Sequence, residues 1–481
     1  MVKMVDEEAP AASYTSCQMG ALIFVTGLSL FNFSYTASNI GGVLLYIDRA
    51  HTDCSKDAIC LDSSLMKGIL VSSCLVGAFS GALFAGTLAV RYGPRTILLA
   101  NNFFFIVGSI SSALAPGILC LILARCVVGI GVGIASALVH VYIGEVVPAD
   151  RRGEHGATLV MMGTGGILVA NLTCWLLSHH WRWVLALGCV PAMIQLVWGS
   201  MIMPESSSWS APRANCGRLR ALEMVCHQNS DERDLENPED SEKSDDTCLL
   251  ESGAGWSNLW QSILTGQAIP PLIIGCGLHV LAQASGINVI IYYGPKMFTL
   301  AGLPNSTAVF VSAGISFAQM CSTLLLSRMV DRVGRKPMSY IGLSFMLLSL
   351  CGIACSYWLP PSHLAGWLAL VSCFCFRVAF SVSLGPLPYI ITAEIFPESI
   401  RTPGVSFCLA VKWVANFAIA LSWLPLSEVF TLAGTFVLYF AMCVLSIFFL
   451  AFYVPETSGK TLGQASQAVW KKLQDTSDMS P

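Results

Sequence analysis

Long apolar runs, interrupted at intervals by short polar segments, set the pattern of this chain. No Asp, Glu, Lys or Arg occurs in residues 9–47, 68–90, 96–124, 155–181, 183–204, 252–295, 297–327, 337–376 or 429–455. A bilayer-crossing helix needs about 20 such residues, whereas a membrane β-barrel strand alternates apolar and polar positions. The longest blocks each hold two helices, because Pro116-Gly117 and Pro360-Pro361 are turn signals inside them. The pattern predicts spans near 18–46, 66–90, 95–115, 118–141, 155–178 and 181–203, then 267–294, 307–328, 337–358, 364–392, 403–424 and 430–454. The expected fold is an all-α membrane protein of twelve transmembrane helices. Its expected organisation is an N-terminal segment 1–17, a six-helix half 18–203, a linker 204–266, a second six-helix half 267–454 and a tail 455–481.

Composition agrees with that pattern. Of 481 residues, 54% are hydrophobic and only 11% are charged, against about 25% charged in soluble domains. The net charge of −3 gives no sign of nucleic-acid binding. Most of the 19 cysteines are scattered through apolar spans, where Cys acts as a small hydrophobe. Cys54 and Cys60 share a polar loop and would form a disulfide if it faces an oxidising compartment. The acidic start MVKMVDEEAPAAS is unlike a cleaved signal peptide. Acids crowd the linker between Asp231 and Glu251, as in a solvated connector.

Basic residues orient the chain. Of the 26 Lys and Arg, Arg125, Arg377 and Lys412 fall within spans and Arg49, Lys56, Lys67, Arg182 and Lys296 in one set of loops; all others lie on the side of the termini. Cytoplasmic loops carry the excess of Lys and Arg, so both termini are expected inside.

The halves repeat one pattern. YIGEVVPADRRG carries Glu145, Pro148 and Arg152, and AEIFPESIR carries Glu394, Pro397 and Arg401 at the same spacing. AVRYGPR, with Arg91, Gly93 and Arg95, is echoed by MVDRVGRK, with Asp331, Arg332, Gly334 and Lys336; PESSSW at Pro204 is echoed by PETSGK at Pro455. Three echoes in one order, all at span ends, indicate duplicated halves, an arrangement in which transporters hold substrate between the halves at the midplane. Arg91, Glu145, Arg152, Asp331, Arg332, Glu394 and Arg401 are the candidates for a cytoplasmic ion-pair latch; the plainer reading is topological anchoring.

With these motifs, and with RCVVGIGVG at Arg125–Gly133, QASGINVIIYY at 283–293, GPLPYIITAEIFP at 385–397 and VPETSGKTL at 454–462, the chain resembles the sugar porters of the major facilitator superfamily, most closely the hexose facilitators. The resemblance covers nearly the whole chain. It implies two pseudo-symmetric six-helix halves that open alternately to the two sides of a membrane. It places sugar contacts on Gln283, Asn288, Gln319, Trp413 and Asn416, gate positions on Tyr292 and Tyr293, and Tyr389 where the family usually has Trp. The chemistry suits a polyol: side-chain amides donate and accept at once, and aromatic rings give a flat wall for C–H faces. The plainer reading is that such amides tie helices together.

Departures from the family sharpen the expectation. Proton-coupled members carry an Asp in the first span where this chain has Thr36, and no acid occurs from Ala9 to Ile47. His140 and His279 are the remaining intramembrane groups that titrate near neutrality. Passive uniport of a hexose is therefore expected, with proton symport as an alternative. Arg377 and Lys412 are unusual, since a charge at mid-bilayer costs about 2.5–3.5 kcal/mol on insertion scales unless it is paired or wet. They open a further alternative, a carrier of sugar acids or other organic anions. A non-transporting sensor is disfavoured by the short tail. Asn305-Ser306-Thr307 is a glycosylation sequon in an expected outer loop. No catalytic, nucleotide, cofactor or metal constellation is legible, and the expected partners are a sugar and lipid, with no nucleic acid and a single chain as the working unit.

Overall fold

The computed structural model describes residues 16–47, 63–147, 152–178, 180–206, 257–360, 362–397, 400–456, 464, 466–470 and 472. The first half comprises α1 (Ser16–Ile47), α2 (Ser64–Tyr92), α3 (Pro94–Ala113), α4 (Ile118–Val146), α5 (Arg152–Leu176), α6 (Trp181–Ala186) and α7 (Cys189–Ile202). The second comprises α8 (Ile269–Ala284), α9 (Ile287–Leu300), α10 (Asn305–Val333), α11 (Arg335–Trp358), α12 (His363–Ser381), α13 (Leu387–Ile395), α14 (Arg401–Val429) and α15 (Thr431–Phe452). Twelve helices or helix pairs are long and apolar enough to cross a membrane, and the described residues contain no strand. Large apolar side chains such as Phe103, Phe345, Leu348 and Trp367 are exposed along the outside of the bundle. A hydrocarbon surround removes the cost of that exposure, as water would not.

Pairs of helices related by the repeat pack in the same way. The halves meet along α2 with α14, along α5 with α10, and along α1 with α9. Exchanging the halves converts the first of these contacts into the second, which is the signature of a two-fold pseudo-axis between them. Within the first half, α2 and α4 approach until backbones touch. A Cβ at Gly129 would lie 2.0 Å from the carbonyl oxygen of Cys74, and one at Gly133 2.1 Å from that of Ala78. The glycines of RCVVGIGVG thus serve close helix packing, the usual membrane solution where no hydrophobic force drives association.

Two spans of the second half are interrupted. Gly286 has φ +84°, a left-handed conformation in which other residues are strained, and it separates α8 from α9. Residues 382–386 form turns that separate α12 from α13. The linker is not loop throughout, since 257–264 is helical and Leu259 is buried.

The echoed motifs acquire a structural role. Glu205 Oε1 accepts from the backbone N–H of Arg95 at 3.2 Å. In the second half Glu456 accepts from the N–H groups of Arg335 at 3.2 Å and Lys336 at 2.9 Å. Each carboxylate therefore caps the N-terminus of its half's third span, satisfying orphan donors and opposing the helix dipole.

At the end of the bundle remote from the termini the halves are in contact. A Cβ at Gly41 would lie 2.3 Å from the Tyr292 carbonyl oxygen, and Ser64 donates to Glu428. At the terminal end, His140 of α4 is exposed.

Candidate functional site

Both interruptions deliver polar side chains to one hollow. The turn at Gly286 brings Gln283, in the last turn of α8, against Asn288, in the first turn of α9, and Asn288 Nδ2 donates to Gln283 Oε1. Asn416 of α14 donates through Nδ2 to the Tyr292 hydroxyl at 3.2 Å. From α13, beyond the second interruption, the Tyr389 hydroxyl accepts from Lys412 Nζ at 2.5 Å. Lys412 Nζ also lies 4.3 Å from the centre of the Trp413 ring, a cation–π contact.

These groups line a cavity of about 120 Å³. Its walls include Gln283, Asn288, Tyr292, Tyr389, Trp413 and Asn416. His279 and Lys412 also face it, and Phe33 of α1 is the first half's contribution. Phe33 packs edge-on against Trp413 with ring centres 5.7 Å apart, and Trp413 Nε1 donates to Ser136 Oγ of α4 at 3.3 Å. The cavity wall therefore crosses the seam between the halves. Amides offer donors and acceptors in pairs, and the indole offers a flat apolar face, so the hollow suits a small hydroxylated ring.

Two residues placed at the site by their motifs stand apart from it. Gln319 turns its amide oxygen to Arg377, accepting from Nε at 2.8 Å and also from Nη2. Arg377 Nη1 donates to Ser316 Oγ at 3.2 Å, and Asn171 of the first half donates to the same hydroxyl at 3.1 Å. A buried guanidinium must find acceptors, and this demand takes Gln319 away from the cavity and leaves Arg377 at the α5–α10–α12 contact. Tyr293 is fully buried, packs at a tilt against Trp423 with centres 4.4 Å apart and donates to the Ala420 carbonyl at 3.0 Å. Of the two tyrosines expected at a gate, Tyr292 lines the hollow and Tyr293 does not, because adjacent helical positions point about 100° apart.

The other ionisable groups separate by depth. Arg125 donates through Nη1 to the Thr36 carbonyl at 2.6 Å and to Asn39 Oδ1 at 3.3 Å. Near the terminal end Glu394 pairs with Arg335 at 3.2 Å, inside the second half, and Arg401 Nε donates to the Phe396 carbonyl at 3.3 Å. The partner of Glu394 is thus Arg335, which the motif spacing did not single out. Arg91 lies against the ring of Tyr92. The side chains of Glu145, Arg152, Asp331 and Arg332 lie outside the described residues, as do Cys54 and Cys60. Asn305 opens α10 at the remote end.

Sequence reasoning missed Phe33 and Ser136 as neighbours of the site, and treated His279 only as a titrating group. His279 signals itself by spacing, one helical turn before Gln283 on α8. Its ring meets Tyr389 edge-on, with centres 5.0 Å apart.

Residues 21–469 match the model of the family described as "Sugar (and other) transporter". The chain belongs to that family. This sugar porter is 31% identical over 461 residues to the probable metabolite transport protein CsbC of Bacillus subtilis, covering 94% of this chain and 95% of CsbC. It is 31% identical over 444 residues to the glucose transporter GlcP of Staphylococcus epidermidis, with 92% and 95% covered. Its fold matches that of the major facilitator superfamily proton:xylose symporter XylE bound to 6-bromo-6-deoxy-D-glucose. The TM-score is 0.73 at 24% identity, with 95% of this chain and all of that one covered. The sugar porter is thus a membrane transporter and not an enzyme.

Proposed function

We propose that this sugar porter is a facilitative uniporter of a monosaccharide, a hexose such as glucose, working as a single chain in the cell membrane with both termini cytoplasmic. The observation that carries the reading is the hollow at the two helix interruptions, where Gln283, Asn288 and Asn416 face the Trp413 indole. In this reading the amides bind ring hydroxyls, Trp413 and Tyr389 cover the ring's C–H face, and Tyr292 closes the remote end. Interrupted helices suit this work, because their freed backbone groups are tolerated only where they line a cavity or are buried in protein. The similarity to a glucose transporter supports the substrate class.

The uniport mode rests on Thr36 and Arg125. The guanidinium meets a backbone carbonyl and an amide oxygen instead of a carboxylate. No proton-loading acid stands beside it among the described residues. On this reading Arg335–Glu394 belongs to a latch of which Arg91, Glu145, Arg152, Asp331, Arg332 and Arg401 form the rest, and Asn305 accepts a glycan.

The test is uptake of labelled glucose, galactose and xylose into liposomes holding the purified protein, with and without an imposed pH step. The expected result is equilibration of a hexose at the same extent in both conditions. Accumulation above equilibrium driven by the pH step would overturn uniport, and no uptake of any sugar would overturn the sugar site.

A further inference from the structure

The buried polar residues of the described interior include Arg125, Arg377, Lys412 and His279, and no Asp or Glu. Arg377 has Gln319 and Ser316 as acceptors at a distance from the hollow. Of the remaining cations, one reaches the hollow. Lys412 lines it. Arg125 is buried elsewhere in the first half, and its Nε and Nη2 have no partner among the described residues. In a low-dielectric interior, positive groups without acids leave a positive potential that an anion relieves.

The cavity is layered. On α8, His279 and Gln283 are four residues apart; on α14, Lys412 and Asn416 are four residues apart. Both helices run from the terminal end toward the remote end and pack against each other. A separation of four residues is one helical turn, about 6 Å. His279 and Lys412 therefore form a basic level, and Gln283 and Asn416 an amide level one turn farther from the termini. Tyr389 stands at the basic level, touching both His279 and Lys412. Two buried polar atoms on the cavity wall lack a partner among the described residues, His279 Nε2 at the basic level and Asn416 Oδ1 at the amide level.

We propose that the cavity also takes a monosaccharide carrying a carboxylate, a hexuronate, with Lys412, His279 and the Tyr389 hydroxyl receiving the carboxylate and the amide level receiving the ring hydroxyls. The inference rests on the hollow being the sugar site and adds the charge class of what it carries. The one-turn offset matches the reach from a pyranose's exocyclic carboxylate to the hydroxyls across its ring. On binding, the Lys412 ammonium exchanges part of its contact with Tyr389 and Trp413 for the anion, so that both partners of the hydrogen bond are charged. Carrying one uncompensated negative charge makes the transport electrogenic, whereas hexose uniport is not.

The experiment uses the same liposomes with labelled glucuronate beside labelled glucose, under imposed K⁺/valinomycin potentials of either sign. Saturable glucuronate uptake, accelerated when the receiving compartment is positive, and competition by glucuronate against glucose are expected. In Lys412→Met the ratio of glucuronate to glucose uptake should fall tenfold or more, and Lys412→Arg should restore most of it. Glucose uptake without glucuronate uptake or competition overturns the inference and leaves the sugar site standing. Failure of both substrates overturns the sugar site itself. Stronger competition by glucose 6-phosphate than by glucuronate overturns the carboxylate assignment. The wild-type competition and voltage dependence decide the matter even if the Lys412 variants fail to fold.

Discussion

The first and fourth spans of the two halves are pseudo-equivalent, yet they are built differently. In the first half α1 and α4 run unbroken for 32 and 29 residues. In the second half their counterparts divide at Gly286 and at 382–386. Every described side chain on the cavity wall except Phe33 belongs to the divided half. A continuous helix spends its backbone polar groups on itself, so it presents only side chains and packs closely. An interrupted helix turns side chains at its ends toward one point. Gln283 and Asn288, on opposite sides of Gly286, meet for this reason. The difference teaches that duplication supplied the frame and that interruption in one copy supplied the pocket.

Breaking each half should have different consequences. The largest effect is expected for Gly129→Leu in the continuous half. Its Cβ would collide with the Cys74 carbonyl at 2.0 Å, so α2 and α4 must separate and no monodisperse protein should survive size-exclusion chromatography in detergent. Next comes Gln283→Ala at the interruption. It should fold normally and lose tenfold or more of hexose uptake in liposomes, about 1.4 kcal/mol or more of substrate interaction. Unchanged uptake in that variant would refute the site. A smaller effect is expected for Glu456→Gln, which keeps an acceptor at the α11 N-terminus and removes its charge. The loss should be about 0.3–1 kcal/mol, read as a modest drop in thermal midpoint, and Glu205→Gln should behave alike because the caps are equivalent. The smallest effect is expected for Thr36→Ala. Among the described residues the Thr36 hydroxyl bonds only its own helix, at Asn32 and Phe33, and Arg125 is held by the backbone carbonyl. Hexose uptake should stay within about twofold.

The frame was legible because charge is so scarce that each span declares itself. Gly286 and Gly385-Pro386 stand where the chain breaks, inside the expected spans 267–294 and 364–392. The pairings inside the bundle were not legible. Spans that are apolar almost all round carry little periodic signal to say which face turns inward. Gln319 and Tyr293 were assigned by motif position, but Arg377 lies 58 residues from Gln319 in sequence and nothing local announces that they meet. The capping carboxylates Glu205 and Glu456 were visible as an echo and not as a function, since a cap reaching across more than a hundred residues leaves no local signature.

The lopsided wall of the cavity also bears on how such a machine would move. A solute gripped almost wholly by one bundle keeps its grip as that bundle tilts, while the opposite bundle, among the described residues, touches it through Phe33 alone and steadies Trp413 through Ser136. The cargo then rides with one partner, and the other acts as a shutter drawn first across one doorway and then across the other.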